Sequence, residues 1–186
     1  MVIDIASNIV EVSDPYTSGH QRRVSELAAR VAQSLGMSAS GIADISVAGL
    51  LHDVGKTAVP AEILSKPGEL TAPEFGLIKQ HAQAGYEILC SAHMEEPIPE
   101  MVYQHHERCD GSGYPRGLTG DQILMGAKVI AVADVVEAMM SHRPYRPALG
   151  LDEAMAEIER GAGSLYDAGA SEACVGLFRA GNFAFS

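Results

Sequence analysis

The sequence of 186 residues has no tryptophan, three cysteines, and only 13 lysines and arginines against 24 aspartates and glutamates. Cys90, Cys109 and Cys174 form no C-x-x-C pair, which argues against a disulfide scaffold or a cysteine-rich zinc module and favours a reducing compartment. The net charge of −11 argues against a binder of nucleic-acid polymers, because such proteins present basic surfaces to phosphates. The net charge does not exclude a small phosphorylated ligand that binds at a local positive site.

Long apolar runs are also missing from the sequence. No segment approaches the roughly 18 to 20 consecutive apolar residues that a membrane span needs, and the N-terminus lacks a signal-peptide pattern. We therefore expect a soluble, cytoplasmic protein with no membrane partner. Because 47% of the residues are hydrophobic, the chain can bury a sizeable core, and its length suits one domain over residues 1–186.

Helical periodicity dominates the chain, whereas strand alternation, hairpin turns and internal repeats do not stand out. Apolar residues recur at three-and-four spacing, and glycines and prolines separate the segments. Capping-box patterns occur at Thr71 with Glu74 and at Thr119 with Gln122. The predicted helices cover residues 18–35, 42–54, 71–89, 98–106, 125–140, 151–158 and 171–179. The pattern predicts an all-α, compact single-domain bundle of about seven to nine helices. A long glycine-rich loop over 109–120 is a candidate functional segment.

Polar residues interrupt several of these apolar helices. His52-Asp53 follows Leu50-Leu51, His105-His106 ends the helix over 98–106, and Asp134 lies within an apolar run. A buried carboxylate without a partner would cost several kcal/mol, so Asp134 must be paired, hydrogen-bonded or bound to a metal. Any one of these histidines, taken alone, is more often an ordinary core or surface residue. Together, five histidines and two aspartates on at least four predicted helices supply ligands that divalent Fe, Mn, Co or Zn accept.

Two motifs among these residues resemble those of a known family. The His-Asp-Val-Gly-Lys segment over 52–56 resembles the H-D-x-G-K signature of HD phosphohydrolases. His-His-Glu at 105–107 and Gly-Tyr-Pro at 113–115 resemble the signature of the HD-GYP subfamily, and the similarity spans roughly residues 5–180. The resemblance implies an all-helical, HD-domain-like phosphodiesterase that hydrolyses the bacterial second messenger cyclic di-GMP to linear pGpG, with onward cleavage to GMP left open.

The resemblance also implies a binuclear metal centre, with Fe or Mn as the expected ions. The positions that would hold one ion are His20, His52, Asp53 and Asp134. Those that would hold the second are His81, His105 and His106, with Asp53 shared. Tyr16 stands where some relatives carry a glutamate for a third ion, which favours two ions here. A hydroxide shared by two ions about 3.5 to 4 Å apart would attack the phosphate in line.

Asp53 and Lys56 are the residues predicted to take part in the chemistry. Lys56 lies about one helical turn beyond His52, from which its ammonium could reach a non-bridging phosphate oxygen as a point charge. Without the resemblance, Lys56 would be interpreted as a surface lysine that caps a helix C-terminus.

The remaining predicted substrate-binding residues are Gly113, Tyr114, Arg143 and Arg146. Glycine at 113 permits close backbone approach, and the Tyr114 ring could stack on a guanine. The two arginines offer planar forks suited to a phosphate or a guanine edge. Without the resemblance, they would be interpreted as solvent-facing residues. Glu107 is predicted either to orient a ligand histidine or to be a helix-end charge.

Two alternatives stay open at this point. One is a signalling module that docks through residues 109–117, with a GGDEF-type diguanylate cyclase as partner. The other is a phosphodiesterase for another cyclic dinucleotide, such as cyclic GMP-AMP. The complete set of predicted ligands favours an enzyme over a docking module, whereas the sequence separates the substrates poorly and leaves the oligomeric state open.

Overall fold

A computed structural model describes residues 19–66, 68–141 and 148–185 of the chain. Within these ranges there are eight α-helices, which we number α1 to α8, and two 3-10 turns. The helices are α1 (His20–Ser34), α2 (Ala39–Leu51), α3 (Ala61–Leu64), α4 (Ala72–Ser91), α5 (Ile98–Gln104), α6 (Met125–Met140), α7 (Leu151–Gly161) and α8 (Ala168–Arg179). The 3-10 turns cover Val54–Ala58 and Gly120–Gln122. The all-α prediction and the expected number of helices are confirmed.

The helix boundaries follow local capping chemistry. The α4 helix begins at the predicted capping box, in which the Thr71 side chain accepts from Glu74 N and the Glu74 carboxylate accepts from Thr71 N. A second predicted capping box, at Thr119 and Gln122, opens a 3-10 turn rather than an α-helix. The short helix α3 was not predicted, because four residues are too few to show a period.

Two predicted helices end earlier than expected. The helix predicted over 42–54 ends at Leu51, so that His52 and Asp53 lie in the turn that leads into the 3-10 segment. The helix predicted over 98–106 ends at Gln104, which leaves His105 and His106 just beyond its last turn. Apolar periodicity does not predict where these two helices end, because the side chains just beyond each end are buried as well.

The core lies where α1, α2 and α6 pack together, with α7 and α8 against α6 and with α5 against α2 and α4. Its fully buried side chains include Leu27, Ile45, Ile130 and Ile158. None of the helices in the described part of the chain combines the length and apolar character needed to cross a bilayer.

Gly55 explains how the 3-10 turn after α2 lies against α4. A Cβ atom on Gly55 would lie 1.9 Å from the carbonyl oxygen of His81 and 2.4 Å from the amide nitrogen of Gly85. Only a residue without a side chain allows this approach of two backbones. The contact places Asp53, two residues earlier, beside His81 on α4.

Candidate metal centre

The fold brings the predicted metal ligands together as two separate groups of three, and a third group, His52, Asp53 and His105, shares His52 with one and His105 with the other. Within each group, one potential ligand atom from each residue lies within 4.8 Å of the others. The first donor group is His20, His52 and Asp134, and the second donor group is His81, His105 and His106. These residues come from the start of α1, the end of α2, the middle of α4, the end of α5 and the middle of α6.

Asp53 lies between the two donor groups. Its Oδ2 is 3.4 Å from His52 Nε2 and 3.7 Å from His20 Nε2, whereas its Oδ1 is 3.5 Å from His81 Nε2. One carboxylate oxygen therefore faces each group. This is the placement that a carboxylate bridging two cations requires.

Backbone carbonyls orient three of the imidazoles. The Nδ1 atoms of His52, His81 and His105 lie 2.7, 2.6 and 2.6 Å from the carbonyl oxygen three residues earlier in each case. A carbonyl only accepts, so each Nδ1 carries the ring proton and each Nε2 keeps a lone pair.

The lone pairs on these Nε2 atoms fit a cation. His52 Nε2 is buried without a hydrogen-bond partner. His81 Nε2 and His105 Nε2 lie 3.3 Å apart, and with both Nδ1 atoms protonated neither can donate to the other. Buried polar atoms are normally paired, and divalent ions held by the two donor groups would satisfy these nitrogens.

The second donor group consists of neutral imidazoles. Burial and the neighbouring histidines lower the pKa of His105 to about 3 and also lower the pKa of His106, whereas burial and the Lys56 ammonium lower the pKa of His81. Because a metal binds the unprotonated nitrogen, these three rings need not lose a proton at neutral pH to become ligands.

His20 has a carboxylate partner that the sequence-based predictions did not include. Its Nδ1 donates to Glu137 Oε2, and its Nε2 lies 3.3 Å from Asp134 Oδ1. Burial opposes protonation of His20, but the two carboxylates outweigh it and raise the pKa to about 9. Arg23 Nε at 2.7 Å and Ser141 Oγ at 2.6 Å donate to the other Glu137 oxygen. Such a carboxylate partner fixes the orientation of a metal-binding histidine.

A sequence signal for Glu137 exists in retrospect. Glu137 is 1% exposed, and it follows Asp134 by three residues, which places both carboxylates on the same face of α6. A buried carboxylate needs a partner, and this requirement, which singled out Asp134 in the apolar helix, holds equally for Glu137.

Lys56 contacts Asp53 directly, with its Nζ 2.8 Å from Asp53 Oδ2. Burial favours the protonated form of Asp53, but Lys56, His52 and His81 outweigh burial and hold its pKa well below the usual range. The Asp53 carboxylate is therefore ionised at neutral pH.

A cavity of about 260 Å³ opens onto these residues. Its polar wall consists of His20, Asp53, Lys56, His81, His106 and Asp134, and its other lining residues are Ile63, Leu64, Leu70, Phe75, Ile78, Tyr114 and Ala138. Larger grooves lie beside α7 and α8, away from the donor groups.

The glycine-rich loop supplies one wall of this cavity. A Cβ atom on Gly113 would lie 2.4 to 2.5 Å from backbone atoms of His106, Glu107 and Arg108, so the loop must pass directly over this segment. The Tyr114 ring stacks on His106 with centroids 4.6 Å apart. The structure thus places Tyr114 beside the second donor group.

Glu107 holds the loop in place. Its buried carboxylate accepts hydrogen bonds from Arg116 N at 2.8 Å and from Leu118 N at 2.9 Å. Neither role predicted for Glu107 describes this arrangement, because its partners are loop amides rather than a histidine or solvent. The side chain reaches residues 9 and 11 positions ahead, which no local pattern encodes.

Three residues singled out in the sequence lie outside the described part of the chain. They are Tyr16, at the position discussed for a third ion, and Arg143 and Arg146, which are predicted to bind substrate.

Comparison with known protein sequences identifies the family of the chain. A family model described as HD domain matches residues 4–169. A cyclic di-GMP phosphodiesterase of Thermotoga maritima is 42% identical over 95% of this chain, and the response regulator RpfG of Xanthomonas campestris pv. campestris, also named a cyclic di-GMP phosphodiesterase, is 41% identical over 85%. The 3'3'-cGAMP-specific phosphodiesterase 3 of Vibrio cholerae is 37% identical over 85% of the chain. The matches cover 48%, 42% and 34% of these relatives, so the chain spans half of their length or less.

Solved structures share the fold. Bd1817 of Bdellovibrio bacteriovorus, described as an HDG"Y"P protein, superposes with a TM-score of 0.74 at 19% identity, over 95% of this chain and 62% of that one. The HD domain of the phosphodiesterase PgpH from L. monocytogenes gives a TM-score of 0.67 at 17% identity, over 96% and 99% of the two chains. The sequence matches, the shared fold and the two motifs confirm the resemblance, and the chain belongs to the HD domain family.

Proposed function

We propose that residues 1–186 form a single metal-dependent phosphodiesterase domain that hydrolyses cyclic di-GMP to linear pGpG. The observation that carries the proposal is the position of Asp53, with one carboxylate oxygen toward each donor group. Relatives named cyclic di-GMP phosphodiesterases, at 41% and 42% identity, support the choice of substrate.

The donor set suits two divalent ions, and Fe or Mn accept such a mixture of imidazole and carboxylate ligands. The residues that would hold them are His20, His52, Asp53, His81, His105, His106 and Asp134. Ions bound there would supply a more acidic water molecule as the nucleophile and positive charge to compensate the phosphoryl oxygens.

The remaining side chains orient and enclose the substrate. Lys56, 2.8 Å from Asp53, places an ammonium at the cavity floor, where a phosphate oxygen can replace the carboxylate as its partner. Gly113 lets the loop lie close enough for Tyr114 to line the cavity, where its ring offers a stacking surface for a base. Arg143 and Arg146 complete the proposed substrate-binding set.

Anaerobic reconstitution with Fe(II) or Mn(II), followed by chromatography of the products, tests the proposal. We expect cyclic di-GMP to be converted to pGpG, and a later appearance of GMP would show onward cleavage. A protein with both ions bound and no turnover of cyclic di-GMP would contradict the proposal.

Cyclic GMP-AMP is the second candidate substrate. It is favoured by the relative named 3'3'-cGAMP-specific phosphodiesterase 3, which is 37% identical over 85% of the chain. Rates for the two cyclic dinucleotides, measured side by side, separate the candidates. Faster turnover of cyclic GMP-AMP would replace cyclic di-GMP as the assigned substrate.

Two further expectations stay predictions. One is a GGDEF-type diguanylate cyclase as a partner of residues 109–117, which a pull-down with and without substitutions in that loop would check. The other is a cytoplasmic location, which fractionation of the source cells would check.

A further inference from the structure

Phe75, Lys79 and Tyr114 form a cluster at the cavity that the metal centre does not require. The Phe75 and Tyr114 rings meet edge to face with centroids 6.4 Å apart. Lys79 Nζ lies 4.9 Å from the Phe75 centroid and 5.5 Å from the Tyr114 centroid. We call these three residues the ring–lysine cluster.

Phe75 lines the cavity and yet leaves 44% of its surface exposed. It does not belong to the hydrophobic core. With Tyr114, it presents two aromatic surfaces to whatever enters the cavity. Base stacking on such rings is a common and strong contribution to nucleotide binding.

Within the part of the chain that the structure describes, Lys79 contacts the two rings of this cluster. Among the described residues it pairs with no carboxylate, and its ammonium contacts the rings of Phe75 and Tyr114. Cation–π contacts at exposed sites are weak. A hydrogen-bond acceptor on a ligand can therefore take over the ammonium without breaking an ion pair.

The cluster and the metal centre share the helix α4. Phe75 precedes His81 by six residues, which corresponds to about 9 Å along the helix axis at a rise of 1.5 Å per residue. A phosphodiester held by the donor groups carries its base one ribose away. The cluster therefore lies within reach of a base whose phosphate is bound at the metal centre.

We infer that the ring–lysine cluster binds one guanine base of the substrate and determines the preference for guanine over adenine, an inference that rests on the proposed phosphodiesterase function. The rings accept either purine, because every base has a stacking face. An ammonium only donates hydrogen bonds. Guanine presents two acceptors, O6 and N7, on one edge, whereas adenine presents N7 beside an amino donor. Lys79 therefore discriminates between them.

Three substitutions of Lys79 test this discrimination with metal-loaded protein. The quantity measured is the ratio of kcat/KM for cyclic di-GMP to kcat/KM for cyclic di-AMP. We expect Lys79→Arg to keep the preference for guanine, because a guanidinium also donates to O6 and N7. Lys79→Met should lower the ratio by about tenfold. Lys79→Gln should lower it further, because an amide pairs with both N6 and N7 of adenine.

Phe75→Ala tests the stacking surface. It should raise KM for both cyclic dinucleotides by roughly tenfold with little change in kcat, as expected for loss of a contact made equally in the ground state and the transition state. Leu77→Ala is the matched control, because Leu77 is an exposed α4 residue, 39% accessible, that does not line the cavity. It should leave both parameters unchanged.

The outcomes separate this inference from the proposed function. If the wild type hydrolyses cyclic di-GMP and the Met and Gln variants keep its guanine preference, the inference is wrong and the proposed function stands. A wild type with no guanine preference overturns the inference as well. If the metal-loaded wild type hydrolyses no cyclic dinucleotide, the proposed function and the inference fail together. Calorimetric affinities for pGpG and pApA provide a second readout, which should follow the same order among the variants.

Discussion

The two donor groups of the metal centre differ in charge. The first donor group contains Asp134 and reaches a second carboxylate, Glu137, through His20, whereas the second donor group consists of three imidazoles. Asp53 is the carboxylate that faces both. A cation in the second group therefore gains charge compensation from Asp53 alone, and we expect the first group to bind its ion more tightly.

The largest effect should follow from removing the charge that the two groups share. Asp53→Asn leaves the second donor group without a carboxylate and weakens the first. We expect the bound metal to fall below two ions per chain and kcat to fall by about a thousandfold or more, since metal ions supply several kcal/mol of transition-state stabilisation. Metal analysis and turnover of cyclic di-GMP measure both effects.

Asp121→Asn is the control for Asp53→Asn, because Asp121 is exposed on the 3-10 turn before α6. It should retain both ions and full activity. Two firmly bound ions in the Asp53→Asn protein would contradict the bridging placement.

The next largest effect should be a loss of metal affinity at the first donor group and not at the second. Glu137→Gln removes the negative charge beside His20 Nδ1 but leaves the second donor group intact. We expect metal affinity at the first group to fall by roughly 10- to 100-fold, the usual range for a carboxylate partner of a metal-binding histidine. Competition with a chelator measures the affinity of each ion.

Glu172→Gln on α8 is the matched control, because Glu172 is exposed and belongs to neither group. Its affinities should equal those of the wild type. Equal weakening of both ions in Glu137→Gln would show that the two groups do not differ as the geometry indicates.

A smaller effect, on stability, tests the backbone contact that places Asp53 beside the second donor group. In Gly55→Ala, the added Cβ would lie 1.9 Å from His81 O, so the 3-10 turn must move away from α4 and carry Asp53 from the second group. We expect the free energy of unfolding to fall by about 1 to 3 kcal/mol, measured by urea denaturation.

Gly76→Ala, on α4, is the control for Gly55→Ala, because nothing lies within 4 Å of its added Cβ. It should leave the protein as stable as the wild type or slightly more stable. Equal stabilities for Gly55→Ala and the wild type would refute the close approach.

The smallest effect concerns the start of α4, the helix that carries His81. Hydrogen bonds from Lys66 and from Thr71 lower the pKa of Glu74 to about 2. Because the folded pKa lies below the usual value of 4.5, the ionised carboxylate stabilises the fold above about pH 4.5. This contribution is lost as the pH falls from 4.5 toward 2.

We therefore expect Glu74→Gln to lower the Tm modestly at pH 7, with the difference from wild type shrinking on acidification. Thermal melts at a series of pH values measure it. Glu69→Gln, an exposed position just before α4, should show no difference at any pH. A difference for Glu74→Gln that persists below pH 2 would contradict a role for its charge.

Much of the fold was predictable because local signals encode it. The α6 helix has its predicted bounds, residues 125–140, since a long apolar run gives a clear signal. The Thr71 capping box marks the start of α4, because its hydrogen bonds involve neighbouring residues. The ends at Leu51 and Gln104 were placed too late, because the chain stays buried beyond them and its direction there depends on contacts with other helices.

The candidate site was predicted in part. The sequence motifs led to the seven potential ligands, which the fold brings together. Glu137, Phe75 and Lys79 were missed, and Glu107 was singled out with the wrong role, because each acts through a partner that is distant in sequence. Glu137 contacts His20 across 117 positions, and Phe75 meets Tyr114 of the glycine-rich loop.

The sequence by itself determined the helical class and which residue types could bind a metal, because periodicity and motifs are local properties of a chain. Only the tertiary structure decided that Asp53 faces both donor groups, that Glu137 holds His20 and that Lys79 lies against two rings that line the same cavity. These relations depend on where helices that are far apart in the chain pack together. Gly55 shows the physical reason, because a missing side chain there lets two backbones touch and brings Asp53 beside His81.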